Sequence, residues 1–291
     1  MKPAAFAYHV PDTAEAAVTL LAELGEEAKF LAGGQSLVPM LALRLAAFEH
    51  LIDLRAVASL RGIEGRADSV WIGAGTTHAE VGRCAEISRR VPLLARATPL
   101  IGHFQIRNRG TIGGAIAHAD AAGEYPAVAL ALDAGLEALS PRGRRVIPAA
   151  DFFTGMWSTA LAADELLTGM TFPVWPGRCG FAIEEFARRS GDFALAGAVI
   201  AVRLDAGGRV DRCAVVVFGL GPTPVRAARA EAELLGREVA EVNAAAIGRT
   251  AVAELTSIPA DLHGSADYRR RIGTAMVARA WRRAAQEASD D

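Results

Sequence analysis

The stretch FLAGGQSLVP, Phe30 to Pro39, ends an apolar run with two adjacent glycines, adds an amide and a hydroxyl, and turns apolar again. Adjacent glycines let successive backbone N–H groups face one concavity with no Cβ in the way, and such a nest binds an anion through partial charges. Alone, the same residues also read as an ordinary strand-to-helix turn with Ser36 as N-cap. A second loop of the same kind, RGTIGG at 109–114, tips the balance toward an anion site. Two glycine nests in one half of a chain suit a diphosphate.

The familiar nucleotide patterns are missing. There is no GxxxxGK[ST], and Lys2 and Lys29 are the only lysines from which to build one. VVVFGLGPTP at 215–224 imitates a dinucleotide turn after a strand, but Pro224 replaces the third glycine and no acidic residue follows on a second strand. The expected diphosphate-binding fold is therefore something other than Rossmann.

Composition narrows the class further. The chain has 291 residues, more than one typical domain, and 52% are hydrophobic, enough to bury a sizeable core. Asp133 and Glu137 interrupt the longest apolar candidate, PAVALALDAGLEAL, and the first residues lack the pattern of an export signal, so the expected location is cytoplasmic with no strong membrane signal. A net charge of -2 with scattered arginines argues against a nucleic-acid groove. Cys84, Cys179 and Cys213 lie too far apart for a CxxC cluster, which makes the chain a poor host for iron–sulfur or structural zinc. His103, His118 and Asp120 can be drawn as a metal triad, but their spacing does not make them converge, and no metal site is assigned.

Helices and strands alternate along the first half. Asp12 and Glu15 read as a capping box before a helix that stops at Gly25, followed by a strand AKFLA. A helix MLALRLAAF follows Ser36 and Pro39, and HLIDL returns as a strand. SVWIGAG is a strand, and Thr77 with Glu80 caps a helix running toward Ile87. YPAVALALDA reads as helix, and GLEALS and DELLTGMTFPV as strands. Beyond the Pro173–Gly177 break, CGFAIEEFARR, AGAVIAVRL and VDRCAVVVFGL read as strands, the last two forming a hairpin across a DAGG turn. Three helices then close an α+β unit.

AGGQSLVPMLALRL, HLIDL, IGHFQIRNRGTIGGAIAHADAAGEYPAVALALDA, RRSGDFALAGAVIAV and ADLHGSADYRRRI, taken in order, resemble the FAD-binding medium subunit of molybdenum hydroxylases, the carbon monoxide dehydrogenase and xanthine dehydrogenase family. The match runs along nearly the whole chain, and QIRNRGTIGG is its most specific block.

The resemblance implies an α+β, PCMH-type, vanillyl-alcohol oxidase-like flavin fold. Its FAD-binding domain would span 1–176, with subdomains of about 1–55 and 56–176, and a C-terminal α+β domain would span 177–291. It implies noncovalent FAD held by Ala32, Gly33, Gly34, Gln35, Ser36 and Leu37 from the first loop. Thr111, Ile112, Gly113, Gly114 and Ala115 would act from the second loop. Ile101 and Gly102 would lie nearby, Asp120 toward the adenosine end, Leu167 along the cofactor and Phe193 near the isoalloxazine; Phe193 also reads as a core aromatic. No catalytic residue is implied. The molybdenum cofactor and two iron–sulfur clusters are expected on a large and a small partner subunit, with a dimer of heterotrimers as the expected assembly. Relatives carry a lysine in the strand before the GD-aromatic motif, and here Glu185 takes that place, either near the flavin or as a solvated glutamate paired with Arg188. A self-sufficient flavin oxidase and a cofactor-free scaffold are the rival classes.

Overall fold

A computed structural model describes residues 2–290. Ala7–His9, His50–Asp53 and Ala28–Leu31 form a small parallel sheet with His50–Asp53 in the middle. Helix Ala14–Leu24 covers it by burying Ala14, Ala17, Val18 and Leu21. Parallel pairing brings the C-terminal ends of these strands to one edge, where ligands sit in open α/β arrangements. The loop after Leu31 starts at that edge.

A five-stranded antiparallel sheet follows, ordered Ile63–Gly65, Ser69–Gly73, Leu166–Pro173, Gly135–Ser140 and Gly143–Pro148. Helices Pro92–Ala97, Ile112–His118 and Glu124–Ala131 belong to the same core. Every residue of Glu124–Ala131 is buried, which explains why that stretch is apolar all round.

Arg178–Phe186, Ala196–Leu204, Val210–Phe218 and Val225–Arg226 form the third sheet. Its faces alternate residue by residue. Ala182, Ala198, Ile200, Val215 and Val217 pack under helices Ala228–Leu234, Ala244–Ala253 and Ala266–Asp290. Phe181, Ile183, Val199, Ala201, Ala214, Val216 and Phe218 join the core of the five-stranded sheet. With both faces covered, these strands read as unbroken apolar runs. Cross-links tie the C-terminal helix to the rest: Glu287 accepts from both terminal nitrogens of Arg96, at 2.6 and 2.7 Å, and from the Phe181 N–H at 2.9 Å.

Local differences from the expected elements have identifiable causes. The first helix is capped by Thr13, whose hydroxyl accepts from Ala16 N at 3.1 Å, and not by Asp12 one residue earlier. The helix after the first glycine loop covers only Leu37–Ala42, because Arg44 at φ 58° breaks it. Ser36 makes no side-chain cap bond, which leaves its hydroxyl uncommitted to the helix. The Thr77–Glu80 capping box forms with both of its bonds. The helix it opens ends at Arg83, since Cys84 is extended at φ -77° and ψ 115°, and a new helix starts at Ala85.

Candidate cofactor-binding site

The first loop leaves the small sheet at Leu31, beside Asp53. Gly34 sits at φ +73°, and Gln35 Nε2 donates to Gly33 O at 2.9 Å, closing a tight turn. None of the Gly33–Ser36 N–H groups donates to an acceptor among the described residues. Residues 31–35 of this loop, together with Val38, Pro39, Asp53 and Arg109, line a cavity of about 350 Å³, while Ser36, Leu37, Thr111, Gly114 and Ala115 lie outside its lining. That volume seats a diphosphate but not a whole flavin dinucleotide.

The two glycine loops interlock. A Cβ on Gly33 would lie 2.2 Å from the Arg109 carbonyl oxygen and 2.7 Å from Gly110 Cα, so only glycine lets the loops meet this closely. Gly114 faces Ala32, its would-be Cβ 3.5 Å from the Ala32 methyl. The second loop is nevertheless no open nest. Ile112 N donates to Thr76 O at 3.0 Å, Gly113 N to Ala74 O at 2.9 Å, and Ala115 N to Thr111 O at 3.0 Å. Gly114 N donates to Thr111 Oγ1 at 3.0 Å. Only the Thr111 N–H has no acceptor among the described residues. The glycine at 113 serves packing, since a Cβ there would lie 2.3 Å from the Ala74 methyl. The expectation of two nests is corrected accordingly: one loop supplies free donors, and the other supplies a wall in which only the Thr111 N–H is unspent among the described residues.

The remaining residues singled out from the sequence fall into separate groups. Ile112, Gly113 and Leu167 are buried in the core behind the loops, and none lines the cavity. Ile101 and Gly102 form another turn, in which Arg107 donates to their carbonyls at 2.9 and 2.8 Å. Gly191, at φ +85°, packs against that turn, its would-be Cβ 2.8 Å from Gly102 O. Phe193 follows at 60% exposure, which overturns its reading as a core aromatic. Asp120 accepts from Ala122 N at 2.9 Å and from Trp157 Nε1 at 3.2 Å, while the His118 ring stacks on Trp157. No group of three or more His, Cys, Asp or Glu among the described residues is arranged to hold a metal.

Sequence reasoning passed over Asp53 and set Arg109 aside, because an arginine facing a phosphate and one beside a subunit interface read alike; both line the cavity. Asp53 is buried, accepting from Arg55 N at 2.8 Å, from Arg55 Nε at 2.9 Å and from the Tyr8 hydroxyl. Its position at the end of the central parallel strand was the available signal.

Glu184 and Glu185 point to opposite faces of their strand. Glu184 pairs with Arg279 and Arg283 of the C-terminal helix. Glu185 faces the other way, close enough to Glu124 to repel it, and has no arginine partner among the described residues: its Oε2 is enclosed without a hydrogen bond, and Arg188 contacts His263 instead. The solvated Glu185–Arg188 pair is thereby excluded. Burial raises the Glu185 pKa to about 7, and burial together with repulsion from Glu185 and Asp120 raises that of Glu124 to about 8.

Residues 4–175 match the family model for the FAD binding domain in molybdopterin dehydrogenase, and residues 181–284 match that for the CO dehydrogenase flavoprotein C-terminal domain. The chain belongs to this flavoprotein family. It is 42% identical over 279 residues to the 6-hydroxypseudooxynicotine dehydrogenase complex subunit alpha of Paenarthrobacter nicotinovorans, covering 96% of this chain and 94% of that one. Its identity to the carbon monoxide dehydrogenase medium chain of Hydrogenophaga pseudoflava is 39% over 282 residues, covering 96% and 97%. The structure of carbon monoxide dehydrogenase from that organism, lacking the Mo-pyranopterin moiety, superposes with a TM-score of 0.96 at 40% identity over 99% of both chains. Quinoline 2-oxidoreductase from Pseudomonas putida 86 gives 0.94 at 34% identity, over 99% of each chain. The fold is thus that of the FAD-binding medium subunits of CO dehydrogenase-like molybdenum hydroxylases.

Two predictions follow from the geometry. Gly33→Ala forces the loops apart by overpacking, at about 1–3 kcal/mol, and weakens FAD binding while the C-terminal sheet stays folded. FAD titration beside circular dichroism checks this, and unchanged affinity contradicts it. For Glu124, the folded pKa near 8 exceeds the ordinary 4.5, so the unfolded chain releases its proton first. The associated stability is fully present below pH 4.5 and is lost as pH rises toward 8. Glu124→Gln abolishes that loss, so urea unfolding should show the variant more stable than the parent at pH 8, by on the order of a few kcal/mol, with the gap narrowing at pH 5.

Proposed function

We propose that this chain is the FAD-carrying electron-transfer subunit of a molybdenum hydroxylase complex. Electrons arrive from the iron–sulfur clusters of a small partner subunit, which a large molybdenum-cofactor subunit feeds, and leave for an external acceptor. The proposed assembly is a dimer of heterotrimers in the cytoplasm. No helix among the described residues is long and apolar enough to cross a membrane. The proposed domains are 1–176 for FAD and 177–291 for the C-terminal unit.

The observation that supports this best is the row of uncommitted N–H groups from Gly33 to Ser36, in a loop interlocked with Arg109 and Gly110 of the second. Unspent, half-buried donors beside Arg109 fit a diphosphate and leave the rest of the cofactor to lie over the surface. Bound FAD would supply the capacity to take up electrons one at a time and to pass them on singly or in pairs. The chain's own residues hold and orient it. Ala32–Leu37 and the Thr111 N–H would grip the diphosphate, Gly114 and Ala115 would lie alongside it with their own N–H groups already spent, Asp120 would lie toward the adenosine, and Phe193 with Ile101 and Gly102 would border the ring. Ile112, Gly113 and Leu167 would support these contacts from behind. Glu185 gives this chain a carboxyl close to its ionisation point at neutral pH. An ionised Glu185 would oppose further negative charge on a nearby ring.

The purified chain should contain one FAD, released into the supernatant by acid precipitation, with neither molybdenum nor iron, and should oxidise no alcohol, aldehyde or purine unaided. Colour that stays with the precipitate, stoichiometric metal, or substrate-dependent bleaching by the chain alone would contradict the assignment.

A further inference from the structure

His78 is 4% exposed and begins the helix that Thr77 and Glu80 cap. It holds the second glycine loop at two successive carbonyls. Its backbone N–H donates to Gly110 O at 2.9 Å, and its Nε2 lies 3.0 Å from Thr111 O. A carbonyl partner requires Nε2 to carry the proton, so the ring is the Nε2–H tautomer. Nδ1 is buried with no partner, and the Gly110 Cα stands where any larger residue would crowd it, the would-be Cβ being 3.4 Å from Nδ1. Tyr125 meets the imidazole edge-on at 5.0 Å and is itself fixed by Thr98, whose Oγ1 lies 2.8 Å from its hydroxyl. The ring therefore has one orientation.

That grip has a consequence for the cofactor. Peptide groups are planar and trans, so the C=O and N–H of one peptide point in opposite directions. With the Gly110 carbonyl turned toward His78, the Thr111 N–H turns away from the 74–78 segment, and it is the one N–H of the second loop left without an acceptor among the described residues. Residues 109 and 110 touch Gly33 directly, which sets the same loop against the free donors of the first.

We propose that His78 is a positioning residue for the cofactor's diphosphate: its Nε2–H and backbone N–H fix the Gly110 and Thr111 peptides, and with them the unspent Thr111 N–H, in the loop that meets Gly33. The inference rests on the assignment of these loops to FAD. Burial lowers the His78 pKa to about 4, which keeps the ring neutral under ordinary conditions.

The test uses the full chain stripped of flavin, with His78→Phe, His78→Gln and His78→Asn. FAD affinity is measured by fluorescence and the bound diphosphate by its phosphorus-31 resonances. Phe fills the space without the donor and should weaken FAD on the order of tenfold, the scale of one lost hydrogen bond, and displace the phosphorus signals. Gln places an N–H where Nε2 stood and should restore both; Asn, too short to reach Thr111, should not. A Phe variant matching the parent in affinity and in phosphorus shifts overturns the proposal. If the Phe variant fails to fold by circular dichroism, the Gln and Asn variants decide, and equal affinities and shifts for those two overturn it. A parent whose phosphorus resonances are unmoved by binding overturns the site assignment itself, and the role of His78 with it.

Discussion

The contact between Gly33 and the Arg109 carbonyl is the constraint on which the site depends. Because no side chain stands at Gly33, a loop from the small parallel sheet reaches a loop from the second unit at backbone distance. The second loop is rigid where it meets the first: residues 74–78 bind it along its length, and Gly113 presses onto Ala74. One side of the cradle is thus a stiff wall and the other a turn with unspent donors. Donors held in place before a ligand arrives lose little entropy on binding, which favours affinity.

The third sheet takes part in the same architecture. Its inner face shares a core with the five-stranded sheet, and the Gly191 turn leans on the Ile101–Gly102 turn. Gly219 N donates to Ala121 O at 2.8 Å, joining that sheet to the segment between helices Ile112–His118 and Glu124–Ala131. Glu124 and Glu185 repel each other across this seam, and neither forms an ion pair among the described residues. A buried carboxyl pair is costly when both members ionise, so the seam is most stable with at least one proton retained. Its neighbours on the same strand show the contrast: Glu184 faces two arginines, whereas Glu185 faces none.

Much of this was legible from sequence, for particular reasons. Ala196–Leu204 and Val210–Phe218 are apolar on both faces, and GLEALS is bounded by turn residues, so these strands appear where expected. The glycine loops were visible because glycine marks backbone that a side chain would obstruct. Which N–H groups remain free was not visible, because Thr76 and Ala74 consume them from a distant stretch. Asp53 and His78 were passed over for the same reason: an aspartate at a strand end and a histidine after a cap acquire meaning only from the elements packed against them. Glu185 was noticed, but the absence of an arginine near it depends on how Arg188 turns in space.

The central claim is that one loop donates and the other supports. Amide hydrogen exchange with and without FAD, resolved to single residues, tests it directly. Without FAD, the N–H groups of Ile112–Ala115 should exchange slowly because the protein already binds them, while those of Gly33–Ser36 and Thr111 exchange fast. Adding FAD should slow the second set and leave the first nearly unchanged. Fast exchange throughout 112–115 without FAD, or no slowing at 33–36 with it, would contradict the account.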